Sequence, residues 1–586
     1  MSVRKSRHTV FNLGLGAALV TTAMVGTPMA LDSTQHSLAG RGSSIQHVVY
    51  IITDNVHYSD IQQMPSVMHF LSQGTVLVND HTVLDSHTQD GMLSDMTGKY
   101  PDQTGVIDQG FYEGSQYVSF AYWENKDPDG QPHVTTTPNW IAFNQHGWNV
   151  GAVGAPDMEL ESAREVTPAM MNPADSKPAD YLGIAVHQAN GQTIFGSPNL
   201  PYLFHAPSWS HPDQTLGGFP GWGDDTDLNW SLQATYEMQT HGVPVTFTYL
   251  HEAHEVNGKE ALPGQYDATL RAYDTAFSRF FENMGKAGLT ASNTLFVLTT
   301  DEGDHLMPQG ELTTNLTGWL TNNSLYAADP SNLTVYGDSG ALVYLKDNRT
   351  LPQVLAALPA VPGWDFVANP TELKALHMAV TAALDRTPSF VLFAKPDVYY
   401  GYSGSTEWHH NPAYVWNHGT ISPDILRIWA GIVGPGVPAH QTSAQWVDHA
   451  DILPTIYSLL GYDLTGAHFD GIPIASVHQP THLQGEKLAK VLDAESAFKQ
   501  LNAPVGSFGM ATLKVASEAA VNATNSEGTR LDTLIQSWTQ TRDALAAQLQ
   551  QDILNLYQGR AVSPAKLAQD TDKAQSLLST VTSFVQ

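Results

Sequence analysis

Five short runs of apolar and β-branched residues, each ending abruptly in polar residues, constrain this chain more than any other feature. They are His47–Thr53, Trp148–Gly154, Val243–Leu250, Thr294–Thr300 and Ile425–Val433. Near-continuous apolar runs of this length suit strands covered on both faces of a sheet. Helical patterns lie between them, clearest from Tyr266 to Ala287, where apolar residues recur every three to four positions. This alternation predicts an α/β fold, a three-layer sandwich with a mostly parallel central sheet. In such sheets ligands bind beyond the carboxyl ends of the strands. The polar clusters fall there.

The chain has 586 residues, more than one hydrophobic core usually serves, which predicts one large domain with additions. Residues 1–30 read as a signal peptide: Arg4, Lys5 and Arg7 precede an apolar stretch from Leu13 to Val25, and Pro28-Met29-Ala30 offers a cleavage site near Ala30. That stretch is short for a membrane span, so cleavage and a periplasmic or secreted product are expected, without stable membrane insertion. Removing it leaves 24 Lys+Arg against 57 Asp+Glu, a net charge of about −33. Such acidity disfavours a nucleic-acid duplex, whose phosphates it repels. Acidity is otherwise a property of solubility, with calcium binding as the alternative. Cysteine is absent, so no disulfide staples the exported chain and a sizeable core must hold it.

The expected layout places a catalytic domain over residues 45–107 and 236–480. Residues 108–235 are rich in Gly, Pro and Trp and read as partly core, partly a cap insertion. Residues 485–586 turn to Ala, Leu, Gln and Lys with helical spacing. Arg530–Tyr557 and Ser563–Phe584 read as two amphipathic helices that pack on the core or mediate an oligomer.

Chemistry gathers at the predicted strand ends. Asp54-Asn55 follows the first strand, and Asp85-Ser86-His87-Thr88 comes about thirty residues later. His251-Glu252-Ala253-His254-Glu255 follows the third strand, and Asp301-Glu302-Gly303-Asp304-His305 the fourth. Asn417-His418-Gly419 precedes the last. Carboxylates gathered in a low-dielectric cleft repel one another strongly unless cations neutralise them. A pair of divalent metal ions is the expected solution.

Here the sequence resembles the alkaline-phosphatase superfamily, in its bacterial alkaline-phosphatase-like and type I phosphodiesterase/nucleotide pyrophosphatase branches. The carriers are a strand ending in Asp54, then Thr88, then Thr97-Gly98-Lys99-Tyr100-Pro101 with Gly105-Val106. Asn417-His418-Gly419-Thr420 and Val447-Asp448-His449-Ala450-Asp451 carry the C-terminal half. The resemblance covers residues 45–475 with a divergent middle. It implies an alkaline-phosphatase-like fold and a phosphoric ester hydrolase acting on a small-molecule phosphoester. It also implies Thr88 as nucleophile, and ligands to two divalent ions drawn from Asp54, Thr88, His254, Glu255, Asp301, Glu302, His305 and His418.

The usual Asp-x-x-x-His and Asp-His ligand pairs are altered. By spacing, His251 with Glu255 and Glu302 would replace them; the alternative, favoured here, takes His254 and His305 as imidazole ligands. Mixed nitrogen and oxygen ligation suits zinc, with manganese or iron as alternatives. Absence of Cys excludes sulfatases that convert Cys to formylglycine. Gln89 stands where many sulfatase-like sites place an Arg, and Gly91 where the pyrophosphatase branch has an oxyanion-binding Asn. Asn55 or His87 would then bind the substrate phosphoryl group, with monoester or diester preference open. Competing readings are a phosphomutase or transferase on the same fold, a non-catalytic metal-binding relative, and a secreted calcium-binding structural protein.

Overall fold

The structure, a computed structural model, describes residues 43–119, 143–144, 146–154, 184–191, 193–195, 200–211, 213–216, 228–250, 253–254, 260–322, 331–381 and 385–586. The expected signal peptide at 1–30, much of 108–235, and His251, Glu252 and Glu255 lie outside the described residues.

Among the described residues nine strands form the central sheet: β1 His47–Thr53, β2 Thr75–His81, β3 Val150–Val153, β4 Ile184–His187, β5 Thr193–Phe195, β6 Val245–Leu250, β7 Thr294–Thr300, β8 Arg427–Val433 and β9 Gln441–Ser443. Their spatial order is β9-β2-β8-β7-β1-β6-β3-β4-β5. β1 pairs in parallel with β6 and β7, and β6 in parallel with β3. β8 runs antiparallel between β2 and β7, and β4 antiparallel between β3 and β5. All five predicted strands are present in a mostly parallel sheet, as the α/β reading requires.

Alternation along the strands explains the layers. Val48, Tyr50 and Ile52 of β1 join one buried cluster with Leu295 and Val297 of β7, while Val49 and Ile51 join another with Phe296 and Leu298. Each face is covered by helices. On one side lies Asp267–Lys286, which buries Leu270, Tyr273, Phe277, Phe280 and Met284 along one stripe. On the other lie Thr88–Thr97 and Ile452–Leu460.

The C-terminal region forms four helices, Glu486–Asn502, Ser507–Val521, Ser526–Tyr557 and Pro564–Phe584. Their apolar residues, among them Val491, Phe498, Leu501, Leu549 and Ile553, belong to the same buried cluster as β1 and β7. These helices therefore pack on the core. Lys499, buried, reaches Asp448 Oδ1 at 2.8 Å and Asp451 Oδ1 at 2.9 Å, tying the first of them to the segment after β9. Among the described residues no helix is long and apolar enough to cross a membrane.

A second, antiparallel sheet was not evident from the sequence. It orders Leu333–Tyr336, Gly340–Leu345, Phe390–Ala394 and Trp364–Ala368 side by side. Its first connection carries Asp338 toward the polar edge of the central sheet.

Candidate metal centre and nucleophile

Register places the site. Thr53 pairs with Leu250 on one side and Thr300 on the other, so β6, β1 and β7 end level with one another. Asp54, the segment bearing Ala253 and His254, and Asp301 consequently lie at one edge. β2 ends at the same edge, where His81 faces Arg427 at the start of β8. That brings in the segment leading to Thr88 and the loop carrying His418.

Hydrogen bonds lock this edge. The Thr300 hydroxyl donates to the carbonyl of Thr53 at 2.8 Å and the Thr53 hydroxyl to that of Thr299 at 2.9 Å. The Asn55 amide donates to Asp301 Oδ1 at 3.1 Å. Asn55 and Ser86 both adopt left-handed backbone, with φ of 55° and 70°. Such residues are uncommon outside glycine and concentrate at functional turns.

Thr88 opens the helix Thr88–Thr97. Asp90 caps it by accepting from the amides of His87 at 3.1 Å and Ser86 at 3.3 Å. Unpaired amides and the helix dipole at such an end favour an anion beside Thr88. Its hydroxyl lies 3.4 Å from Glu302 Oε1.

Asp54, Asp301 and Glu302 offer oxygens that all lie within 4.8 Å of one another. Asp301 Oδ2 and Glu302 Oε2 are buried without a hydrogen-bond partner. Burial, then Asp301, pushes Asp54 well above the usual carboxylate range, and burial, then Asp301 and Asp54, does the same to Glu302. Burial raises Asp301 to about 6 against the hydrogen bonds from Asn55 and Glu302. Protons or a cation must relieve this crowding, and the partnerless oxygens fit a divalent cation.

A second group adjoins it. Asp304 bridges two imidazoles, with Oδ2 at 3.1 Å from His254 Nδ1 and Oδ1 at 3.0 Å from His418 Nδ1. His418 Nε2 lies 3.7 Å from Glu302 Oε1, which joins the two groups. His254 is stacked on Trp416 with ring centres 4.2 Å apart. Its Nε2 reaches Asp60 Oδ2 at 3.4 Å. Burial opposes charge on His254 and His418, but hydrogen bonds to Asp304, joined by Asp60 at His254, hold both up at about 9. Asp304 resists its own burial and is driven far below the usual carboxylate range by the two imidazoles.

Asp54, Thr88, Asp301, Glu302, His254 and His418 thus meet at one edge. His305 does not. Its neighbour Asp304 turns inward, while His305 pairs across a short antiparallel bridge with Asn417 and turns out toward Asp424 at 2.7 Å and Asp397 at 3.3 Å. Alternation along extended backbone makes this pair mutually exclusive at the site. The structure thus places His305 away from this edge and Asp304 at it.

Asn55 Nδ2 lies 3.3 Å from His418 Nδ1, at the site. His87 borders both sides: it offers a ligand atom within 4.8 Å of Glu302 and His418, while its Nε2 is 3.2 Å from Asp338 Oδ1 and 3.7 Å from Asp108 Oδ1. Gly91 is explained sterically. A Cβ there would meet the carbonyl oxygen of Asp301 at 2.7 Å and His449 Nε2 at 3.4 Å, so no Asn side chain fits. Sequence reasoning gave no role to Asp60 or Asp338. The His57-x-x-Asp60 spacing, one helical turn apart, was the available signal for the first; Asp338 had none.

The chain matches the family model for type I phosphodiesterase/nucleotide pyrophosphatase over residues 48–421. Among solved structures it is similar to murine ectonucleotide pyrophosphatase/phosphodiesterase 5, at 16% identity and a TM-score of 0.48, over 71% of this chain and 95% of that one. An inactive variant of that murine protein, in complex with AMP, gives the same values. The human counterpart is similar at 13% identity and a TM-score of 0.47, again over 71% and 95%. No curated protein matches the chain. The family match spans well over half of the chain, from β1 to the loop that bears His418. The chain belongs to the type I phosphodiesterase/nucleotide pyrophosphatase family, whose members depend on metal, and is a phosphoric ester hydrolase.

Proposed function

We propose that this chain is an exported phosphodiesterase in which Thr88 is the nucleophile and two divalent metal ions, zinc in preference to manganese or iron, complete the site. The observation that carries this reading is the meeting of Thr88 with Glu302 at the edge where Asp54 and Asp301 emerge. Asp54, Thr88, Asp301 and Glu302 would hold one ion, and His418, Asp304 and His254 the other. Such a pair lowers the pKa of a coordinated hydroxyl and stabilises the leaving oxygen of an in-line displacement.

The chain's own groups do the rest. Glu302, in its ionised form, would accept the proton from the Thr88 hydroxyl, 3.4 Å away, as the oxygen attacks phosphorus. The helix start at Thr88 favours the negative charge of the phosphoryl group, and Asn55 Nδ2 supplies a donor in the role that Gly91 cannot fill. The leaving alcohol departs with a proton, and water then attacks phosphothreonine, releasing phosphate or a phosphomonoester and restoring the hydroxyl. The match to the type I phosphodiesterase/nucleotide pyrophosphatase family makes nucleotides the first substrates to try.

The test uses full-length protein on aryl phosphate monoesters and diesters, with and without chelator. Thr88→Ala is expected to lower turnover by at least ~10³-fold while leaving the melting temperature and metal content near wild type. Full turnover in that variant removes the nucleophile assignment. Cleavage near Ala30, read by N-terminal sequencing of the secreted product, tests export.

A further inference from the structure

We propose that the chain holds an additional cation site, formed by His87, Asp108 and Asp338 with the Asp85 carboxylate beside them, directly behind the turn that presents Thr88. This site goes beyond the phosphoesterase reading and does not depend on it.

His87 Nε2, Asp108 and Asp338 offer ligand atoms that all lie within 4.8 Å of one another. His87 is 2% exposed, Asp108 0% and Asp338 4%. Asp85 supplies the independent observation. It is 0% exposed, and neither of its carboxylate oxygens has a hydrogen-bond partner. Asp108 Oδ2 is likewise buried and partnerless.

A buried carboxylate that makes no hydrogen bond is strongly disfavoured unless a charge compensates it. Asp90, the remaining acid nearby, is engaged in capping, each of its oxygens accepting from a backbone amide. One imidazole cannot balance three acids. Burial, followed by Asp108, Asp338 and Asp90, pushes Asp85 well above the usual carboxylate range, and burial with Asp338 and Asp90 does so for Asp108.

The surrounding backbone has been cleared for this cluster. A Cβ at Gly340 would collide with the Asp85 carboxylate, and one at Gly419 with His87 Nε2 and Asp338 Oδ1. Three carboxylates and one imidazole suit a cation that favours oxygen and tolerates nitrogen, manganese above calcium or magnesium. The site's ligands flank Ser86, whose backbone is left-handed, and end one residue before Thr88. A cation here fixes that turn.

The experiment strips the full-length protein with chelator, reloads it with Mn²⁺, desalts it and counts metal by mass spectrometry. Asp85→Asn and Asp338→Asn are each expected to hold about one manganese fewer than wild type. Adding Asp338→Asn to Glu302→Gln is expected to remove about one more. Unchanged manganese in these variants, or a rise in melting temperature for Asp85→Asn with unchanged metal, overturns the proposal in favour of protonated carboxyls. Should the variants not fold, anomalous scattering at the manganese edge from wild-type crystals decides. A peak between His87 Nε2, Asp108 and Asp338 supports the site, and its absence overturns it. None of these readouts uses turnover, so they fail or succeed apart from the Thr88 assignment.

Discussion

Glu302 Oε1 stands 3.4 Å from the hydroxyl of Thr88 and 3.7 Å from Nε2 of His418. One carboxylate therefore touches both halves of the site, at a position where the resemblance leads one to expect His. Glu302→Gln keeps the shape and removes the charge. It is expected to weaken metal retention by about 10–100-fold or more and to lower kcat more than it raises KM. Chelator titration alongside steady-state kinetics checks both. Unaltered kinetics would leave Glu302 without a role.

Gly91→Ala sets two effects against each other. Alanine in a helix interior is favoured over glycine by about 1 kcal/mol. The new Cβ would lie 2.7 Å from the carbonyl oxygen of Asp301, and the obstacle is backbone, which cannot swing aside. Overpacking of this kind costs about 1–3 kcal/mol, so the net change is a loss of stability. Turnover should fall as well, because the displaced strand end carries Asp301. A melting curve and an aryl phosphodiester assay on the same preparation test this.

Lys499→Met strands two buried acids. Lys499 Nζ also lies 3.2 Å from the Tyr100 hydroxyl, which itself donates to Asp448 at 2.8 Å. Removing one partner of a buried ion pair costs about 3–5 kcal/mol. The triple variant Lys499→Met/Asp448→Asn/Asp451→Asn should recover much of that loss. Denaturant unfolding of the three proteins separates charge from packing.

Glu372 gives a pH signature away from the site. It is fully buried, accepts from the Thr512 hydroxyl at 2.7 Å, and burial raises it to about 8 from 4.5. Its folded pKa is above its unfolded one, so its contribution is complete below about 4.5 and drains away as pH rises toward 8. At most about 1.4 kcal/mol per pH unit is involved. Glu372→Gln should match wild type near pH 4.5 and exceed it in stability by pH 8. Parallel melting curves across that range test the sign.

The central strands and their polar ends could be read from sequence because burial on both faces writes apolar residues without interruption. β2 escaped notice: Thr75–His81 ends in Asn79, Asp80 and His81, which break the pattern, and its pairing with β8 spans hundreds of residues. The antiparallel sheet from Leu333 to Ala394 escaped for a similar reason, as its partners are set by tertiary contact. At the site, residue types were legible but their directions were not. Asp304 and His305 are neighbours in the chain, and only the bridge to Asn417 decides which one turns inward. Gly91 was noticed as a missing donor, whereas its real constraint is the carbonyl oxygen of Asp301.

The place of β8 within the sheet has a consequence for biosynthesis. A strand from residues 427–433 separates β2 from β7, so the two share no hydrogen bonds without it. A ribosome-bound chain that stops short of residue 427 leaves the sides of β2 and β7 that β8 later fills as raw edges, ready to recruit foreign strands. The hydrolase can therefore acquire its working edge only when synthesis is most of the way through. Any truncation upstream of that point should yield aggregate rather than a weakened enzyme.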